Sequence, residues 1–310
     1  FYKRYGIRGG IATLTGQGQI KDKNYAVWYE KNKVSEEELK EQRNKEFPYM
    51  PLFSILVPVY NTPIPYLREM LDSVRNQTYQ KWQLCIANAN PENEDVARIL
   101  NQYIEMDIRI QVVNVPENLG IAQNTNKALS IAKGDYIGLL DHDDMLAADA
   151  LFEVAKTIND KNADVIYTNE DKITMSGEKH FQPNFKPEYN LDMLRSNNYI
   201  CHFFIAKASL MKEIGGFRGE YNGAQDYDMI FRCTERADNI VRIPKVLYHW
   251  RMHEQSTAEN PESKRYAFDA GKKVIEDHLK RCEESAEVQM TEYPGFYRVK
   301  YAIKEKPRVL

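Results

Sequence analysis

The sequence predicts an α/β protein built on a mixed, mainly parallel sheet flanked by helices. Three observations carry that reading. Short apolar or β-branched runs alternate with helical periods from residue 53 to residue 167, giving βαβαβαβαβ, and such alternation places helices over both faces of a parallel sheet. Polar residues gather just after those runs, at the carboxyl edge where open α/β sheets bind ligands. No Pro/Gly/Ser-rich linker follows residue 167, so the second half is expected to complete the same domain.

Residues 53–58 form the first expected strand, which ends on Pro58. Leu67, Met70, Leu71 and Val74 then keep the helical period, with Pro65 in the first turn. Residues 82–87 and 108–113 read as strands, separated by a helix marked by Val96, Ile99, Leu100 and Tyr103. Residues 120–132 are helical, 136–140 an apolar strand, 149–158 helical and 164–167 a strand. Beyond them, 201–206 and 240–243 suit strands and 208–214 and 227–235 suit helices, while 261–280 has the pattern of a long amphipathic helix. Residues 1–50 read as an N-terminal arm: a Gly-rich start, no clear period, then Ser35 and Glu38 at capping-box spacing. One domain is therefore expected over 51–282, with a C-terminal tail over 283–310.

Composition narrows the function. Across 310 residues, 42 Lys and Arg face 45 Asp and Glu, a formal charge of −3; this excludes a broadly basic nucleic-acid surface. Hydrophobic residues at 43% and charged residues at 28% suit a globular chain rather than a disordered one. Four widely spaced cysteines with no CxxC pair exclude a zinc ribbon or thioredoxin-type motif, and imply reduced thiols in a cytoplasmic setting. No run approaches the roughly 20 apolar residues that span a bilayer. Any membrane contact is expected to be peripheral, at the inner face.

Asp141-His142-Asp143-Asp144 follows an apolar strand. In extended chain, i and i+2 share a side, so Asp141 and Asp143 converge. Two such carboxylates repel until a cation neutralises them, and hard oxygen ligands suit Mg²⁺ or Mn²⁺ with ligand phosphates completing the shell. Capping of the next helix is the plainer alternative; the position past a buried strand favours a site. Asp226, at the start of a predicted helix, suits either a cap or a general base, whereas Asp228 suits a structural role. Residues 248–256 place His249 and His253 around Arg251, a grouping that fits a site meeting metal and diphosphate. Asn118, Gly120, Asn124 and Asn126 open another helix, where amides can read a base or ribose and the N-terminus favours anions.

Taken in order, SILVPVYN at 54–61, N-x-G at 118–120, LDHDD at 140–144, TNEDK at 168–172, GGF at 215–217, QD at 225–226 and HWR-x-H at 249–253 resemble a family 2 glycosyltransferase with the GT-A (Rossmann-like) fold. The resemblance spans residues 51–281 and is strongest to bacterial enzymes that build rhamnose-rich and other cell-surface polysaccharides. It implies a UDP- or dTDP-linked sugar donor, a divalent metal, inversion at the anomeric carbon, and a hydroxyl acceptor on a glycan, glycolipid or glycoprotein. On this resemblance Pro58, Tyr60 and Asn61 border the base and ribose, with Asn118, Gly120, Asn126 and Arg251 also on the donor side. Asp141 sits by ribose and metal, Asp143 is the main metal ligand, His253 approaches metal or diphosphate with His249 as second choice, and Asp226 is the base.

Two departures stand out. Asn88 lies where the family carries an acid-rich segment, and its amide can still bond a pyrimidine edge. Gln225 replaces the usual Glu before the base, removing a neighbouring charge. These keep a second reading alive, a non-catalytic sugar-nucleotide-binding half of a larger bifunctional transferase. A sugar nucleotidyltransferase would need a Gly-rich phosphate loop after the first strand, and residues 60–63 offer none. Residues 306–310 echo the approach to the first strand, so the tail is expected to lead into a second transferase domain.

Overall fold

A computed structural model describes residues 17–252 and 265–303. Helices α1 (Gln17–Asn32) and α2 (Glu36–Arg43) precede the sheet. The capping box before α2 is complete: Ser35 Oγ accepts from the Glu38 N–H at 3.2 Å, and the Glu38 carboxylate accepts from the Ser35 N–H at 2.8 Å.

The first half then runs β1 (Phe53–Val59), α3 (Ile64–Arg75), β2 (Trp82–Asn88), α4 (Glu94–Met106), β3 (Ile110–Asn114), α5 (Ile121–Ser130) and β4 (Tyr136–Leu139). These strands lie in the order β3-β2-β1-β4, all parallel. Helices cover both faces, so β1 and β2 are buried almost throughout and read as continuous apolar runs. Alternation within β1 still shows: Ile55 and Val57 pack in one core cluster with Leu67 and Met70, while Leu56 joins Cys85 and Ala122 in the other.

The second half contributes β5 (Met145–Leu146), α6 (Ala150–Lys161), β6 (Val165–Ile173), β7 (His180–Asn184), α7 (Leu191–Leu194), β8 (Phe204–Lys207), α8 (Ala208–Glu213), α9 (Gln225–Thr234), β9 (Ile240–Arg251) and α10 (Arg265–Arg281). Here β8 inserts antiparallel between β4 and β6, β9 runs parallel to β6, and β5 and β7 pair antiparallel with β9 and β6. A separate hairpin, β10 (Ala286–Met290) with β11 (Tyr297–Tyr301), occupies much of the expected tail.

The differences from sequence expectation have physical causes. The third strand starts at Ile110, because the Ile110 N–H bonds the Asp107 carbonyl in a turn that leaves Ile108 exposed. β6 continues past residue 167 because its polar residues Glu170 and Asp171 find buried partners, which a hydrophobic pattern cannot show. The same holds for β9, carried on to Arg251. The Gly-rich start, His253 and residues 306–310 lie outside the described residues.

One glycine fixes how β4 begins. The Gly134 N–H donates to Ser54 Oγ at 2.8 Å, and a Cβ there would come within 2.6 Å of the Ser54 backbone nitrogen and 2.7 Å of the Leu52 carbonyl. Backbone cannot swing aside as a side chain can. Gly134→Ala is expected to cost about 1–3 kcal/mol, seen as a lower urea midpoint at unchanged slope.

Candidate active site

The site lies along the carboxyl edge of β1, β2 and β4. At the end of β1, Tyr60 is exposed and Asn61 adopts a left-handed backbone with φ 51°, a conformation Asn tolerates better than most residues. The Asn61 carboxamide then accepts from Asn90 Nδ2 at 2.7 Å and Asn93 Nδ2 at 3.3 Å. Pro58, partly buried, pairs in register with Ala87. Asn88 is buried, with its Nδ2 donating to Asn114 Oδ1 and its Oδ1 accepting from the Asn90 N–H, both at 3.3 Å. Its amide thus keeps one N–H and one lone pair beyond these bonds, while Asn61 and Asn90 are the amides nearer the surface.

Past β4 the acids divide. Asp144 is fully buried and accepts from the Tyr248 hydroxyl at 2.6 Å and the Arg251 N–H at 2.7 Å. Burial, with Asp143 and Asp141 adding repulsion, pushes its carboxyl well above the ordinary range. Asp141 keeps nearly half its side chain exposed and Asp143 rather less. The Asp141 N–H donates to the Tyr248 hydroxyl at 3.2 Å, and His142 Nδ1 meets Thr62 Oγ1 at 2.9 Å, tying this loop to the end of β1. Arg251 corrects an expectation. It is fully buried beneath the loop, donating to the carbonyls of Asp143 and Met175 and pairing with Glu69. It braces the acids from behind instead of reaching toward a diphosphate.

His202 is the residue that the motifs miss. Its ring stacks on Tyr248 at 4.5 Å, with Nε2 3.7 Å from Asp141 Oδ2 and Nδ1 3.3 Å from Glu170 Oε2. Burial works against its charge, but Cys201, Asp141 and Glu170 outweigh that and raise the imidazole well above its usual value. Asp141, Asp144 and His202 bring ligand atoms within 4.8 Å of one another. A divalent cation would fit this set once it displaces the protons held by His202 and Asp144, since only the free imidazole and carboxylate ligate. Sequence reading had placed His202 inside an apolar strand; a lone imidazole in the run from Tyr199 to Ile205 was the available signal.

Asp226 sits in the first turn of α9, partly buried, accepting from Asn198 Nδ2 at 2.7 Å. Burial raises its pKa, with His202 pulling the other way. Cys201 Sγ lies 3.5 Å from His202 Nε2 and 4.0 Å from Asp226 Oδ2, so the thiol links the acid loop to this carboxylate. Gln225 is turned back onto the Gly223 N–H, and Asp228 is consumed by Arg218 and Arg232. Asp228 is structural, as its position suggested.

The amides at α5 also serve the scaffold. Asn118 Oδ1 accepts from the Gly120 N–H and from Asn124 Nδ2, while Asn126 clamps both backbone groups of Phe217 at 2.8 Å. Gly120 has φ +83°, and a Cβ there would strike Asn222 Nδ2 at 2.8 Å. Asn222 in turn accepts from the Ala122 N–H, stapling α5 to the loop before Asp226. His249 is corrected as second-choice metal ligand. Its neighbour Tyr248 points at Asp141 and Asp144, so His249 projects to the opposite face, onto Asp171 at 2.6 Å.

The strand order brings the acid loop and Asp226 to one edge of the sheet. Residues 54–215 match the model of Glycosyl transferase family 2, and the chain belongs to that family. It is 39% identical over 99% of its length to an uncharacterized protein of Sinorhizobium fredii, covering 34% of that protein. It is 33% identical over 84% of its length to the O-antigen biosynthesis protein RfbC of Myxococcus xanthus, covering 20% of it. The chain thus spans about a third or less of these relatives' own length. Among solved structures, S. aureus TarS 1-349 in complex with UDP-GlcNAc superposes with a TM-score of 0.62 at 20% identity, over 74% of this chain and 66% of that one. The fold is the mixed α/β, GT-A arrangement.

Proposed function

We propose that the chain transfers a sugar from a nucleotide-diphosphate donor to an acceptor hydroxyl with inversion, in the synthesis of a bacterial surface polysaccharide such as a rhamnose-rich glycan. The observation that carries this reading is Asp226: a partly buried carboxylate with a raised pKa, linked through Cys201 and His202 to the exposed edge of the acid loop. A base so placed accepts the acceptor's proton as its oxygen attacks the anomeric carbon opposite the leaving diphosphate.

Asp141 and Asp143, with His253 beyond the described residues, would hold the divalent metal. When bound, Mg²⁺ or Mn²⁺ supplies positive charge against the charge developing on the diphosphate. The chain's own residues orient the rest. Tyr60, Asn61 and Asn90 line the nucleoside side, and Arg251 and Tyr248 hold the acid loop in place. The O-antigen biosynthesis relative supports a polysaccharide product. On this reading the acceptor is met at the inner membrane face; no described helix is long and apolar enough to cross a membrane.

The test is turnover of a panel of UDP- and dTDP-sugars with Mn²⁺ or Mg²⁺. Nucleoside diphosphate should appear slowly without acceptor and faster with a glycan acceptor, and EDTA should stop both until metal is restored. Nucleotide binding without any turnover across the panel favours the silent half of a larger transferase and contradicts this reading.

A further inference from the structure

A second cluster of ligating side chains lies on the face of the sheet away from Asp141. Asp171 on β6, His180 on β7 and His249 on β9 bring their ligand atoms within 4.8 Å of one another. Asp171 is fully buried; its Oδ1 meets His249 Nδ1 at 2.6 Å and its Oδ2 meets His180 Nδ1 at 2.8 Å. His249 is buried and His180 partly so. The carboxylate is the acceptor here, with both imidazoles placed to donate to it from Nδ1.

The surroundings are arranged as an outer shell. The Tyr25 hydroxyl, from α1, donates to Asp171 Oδ2 at 2.7 Å and fixes the carboxylate. The Tyr29 hydroxyl stands 3.3 Å from His249 Nε2, and the Tyr29 ring stacks on His180 at 3.8 Å. Ligating histidines characteristically give their second ring N–H to such a partner. A cavity of about 570 Å³ runs beside Tyr29 and His180, leaving solvent access on that side.

From this geometry we propose that Asp171, His180 and His249 form a transition-metal site of the Zn²⁺ class, separate from the cation of the transfer reaction. Two imidazole nitrogens and one carboxylate select Zn²⁺, Co²⁺ or Ni²⁺ over Mg²⁺, which prefers oxygen alone. Binding needs no net loss of protons. Each imidazole exchanges its Nδ1 hydrogen for one on Nε2, Nδ1 then faces the ion, and the Tyr29 oxygen accepts the new Nε2–H of His249. The fourth position opens toward the cavity. Because Asp171 adjoins Glu170 and His249 adjoins Tyr248, the ion would lock α1 and β7 onto the same strands that support the acid loop.

Cobalt substitution tests this. Co²⁺ added to metal-stripped protein should give the visible absorption of a four-coordinate ion at one equivalent, and it should persist in Asp143→Ala, where the transfer-site cation is weakened. His180→Ala, on an edge strand, should lose it, and Tyr29→Phe should weaken binding by roughly 10–100-fold, the effect of an outer-shell partner. Zn²⁺ should also raise the melting temperature of wild type and leave that of His180→Ala unchanged. Circular dichroism of the metal-free variants checks folding, and His249→Ala provides a second ligand deletion. Absence of the cobalt spectrum in wild type, or its survival in folded His180→Ala and His249→Ala, overturns the proposal.

Discussion

Asp226→Asn is expected to lower kcat for transfer by about 10²–10⁴-fold while leaving nucleotide-sugar affinity nearly unchanged. Asparagine keeps the shape and can still bond Asn198, but it cannot take a proton. If, as proposed, the carboxylate meets the acceptor rather than the nucleotide, the loss belongs in kcat, and donor titration by calorimetry should show little change. The pH profile gives an independent reading. Only the ionised carboxylate is a base, and burial raises its pKa. Activity should therefore rise with pH through an acid limb above the ordinary aspartate range. An acid limb that stays in place in Asp226→Asn would assign the titration to another group.

Lys186→Met is expected to destabilise the fold by about 3–5 kcal/mol, the cost of breaking a buried pair by removing one partner. Lys186 is almost wholly buried, and its ammonium donates to Glu170 Oε2 at 2.9 Å, to the Ile200 carbonyl at 2.6 Å and to the His202 carbonyl. Burial alone would raise the Glu170 carboxyl, yet Lys186 and His202 bring it down to about 2. A depressed carboxyl contributes stability that is present above its unfolded pKa, about 4.3, and is lost as pH falls toward 2. Wild type should accordingly lose stability across that window. In Lys186→Met the Glu170 carboxyl loses the ammonium that lowers its pKa, so its folded and unfolded values draw together and the stability lost on acidification through that window should shrink. Urea unfolding at several pH values measures both. Since His202 stands on the same carboxylate, transfer activity should fall as well.

These two residues mark what sequence can and cannot show. Asp226 and the acids at 141–144 could be singled out because an acid at a helix start or past a buried strand, and their order along the chain, are local patterns. Strands β1, β2 and β4 were legible too, since burial on both faces writes itself as unbroken apolar runs. Lys186, Glu170 and His202 were not, because their meaning lies in pairing across 16 to 32 residues of chain, in a low-dielectric setting where polar side chains act as core. That is also why β6 and β9 looked short. Arg251, Asn88 and Asn126 show the converse. Their polar groups suggested ligand contact, but each also bonds protein partners, and only the fold reveals those partners.

The central claim is inverting transfer at the edge formed by Asp141, Asp143 and Asp226. It is tested most directly by NMR of the new glycosidic linkage, formed from a donor of known anomeric configuration. Wild-type product should carry the opposite configuration and should scarcely form with Asp226→Asn. Product that retains the donor's configuration, or forms at an undiminished rate in that variant, contradicts the account.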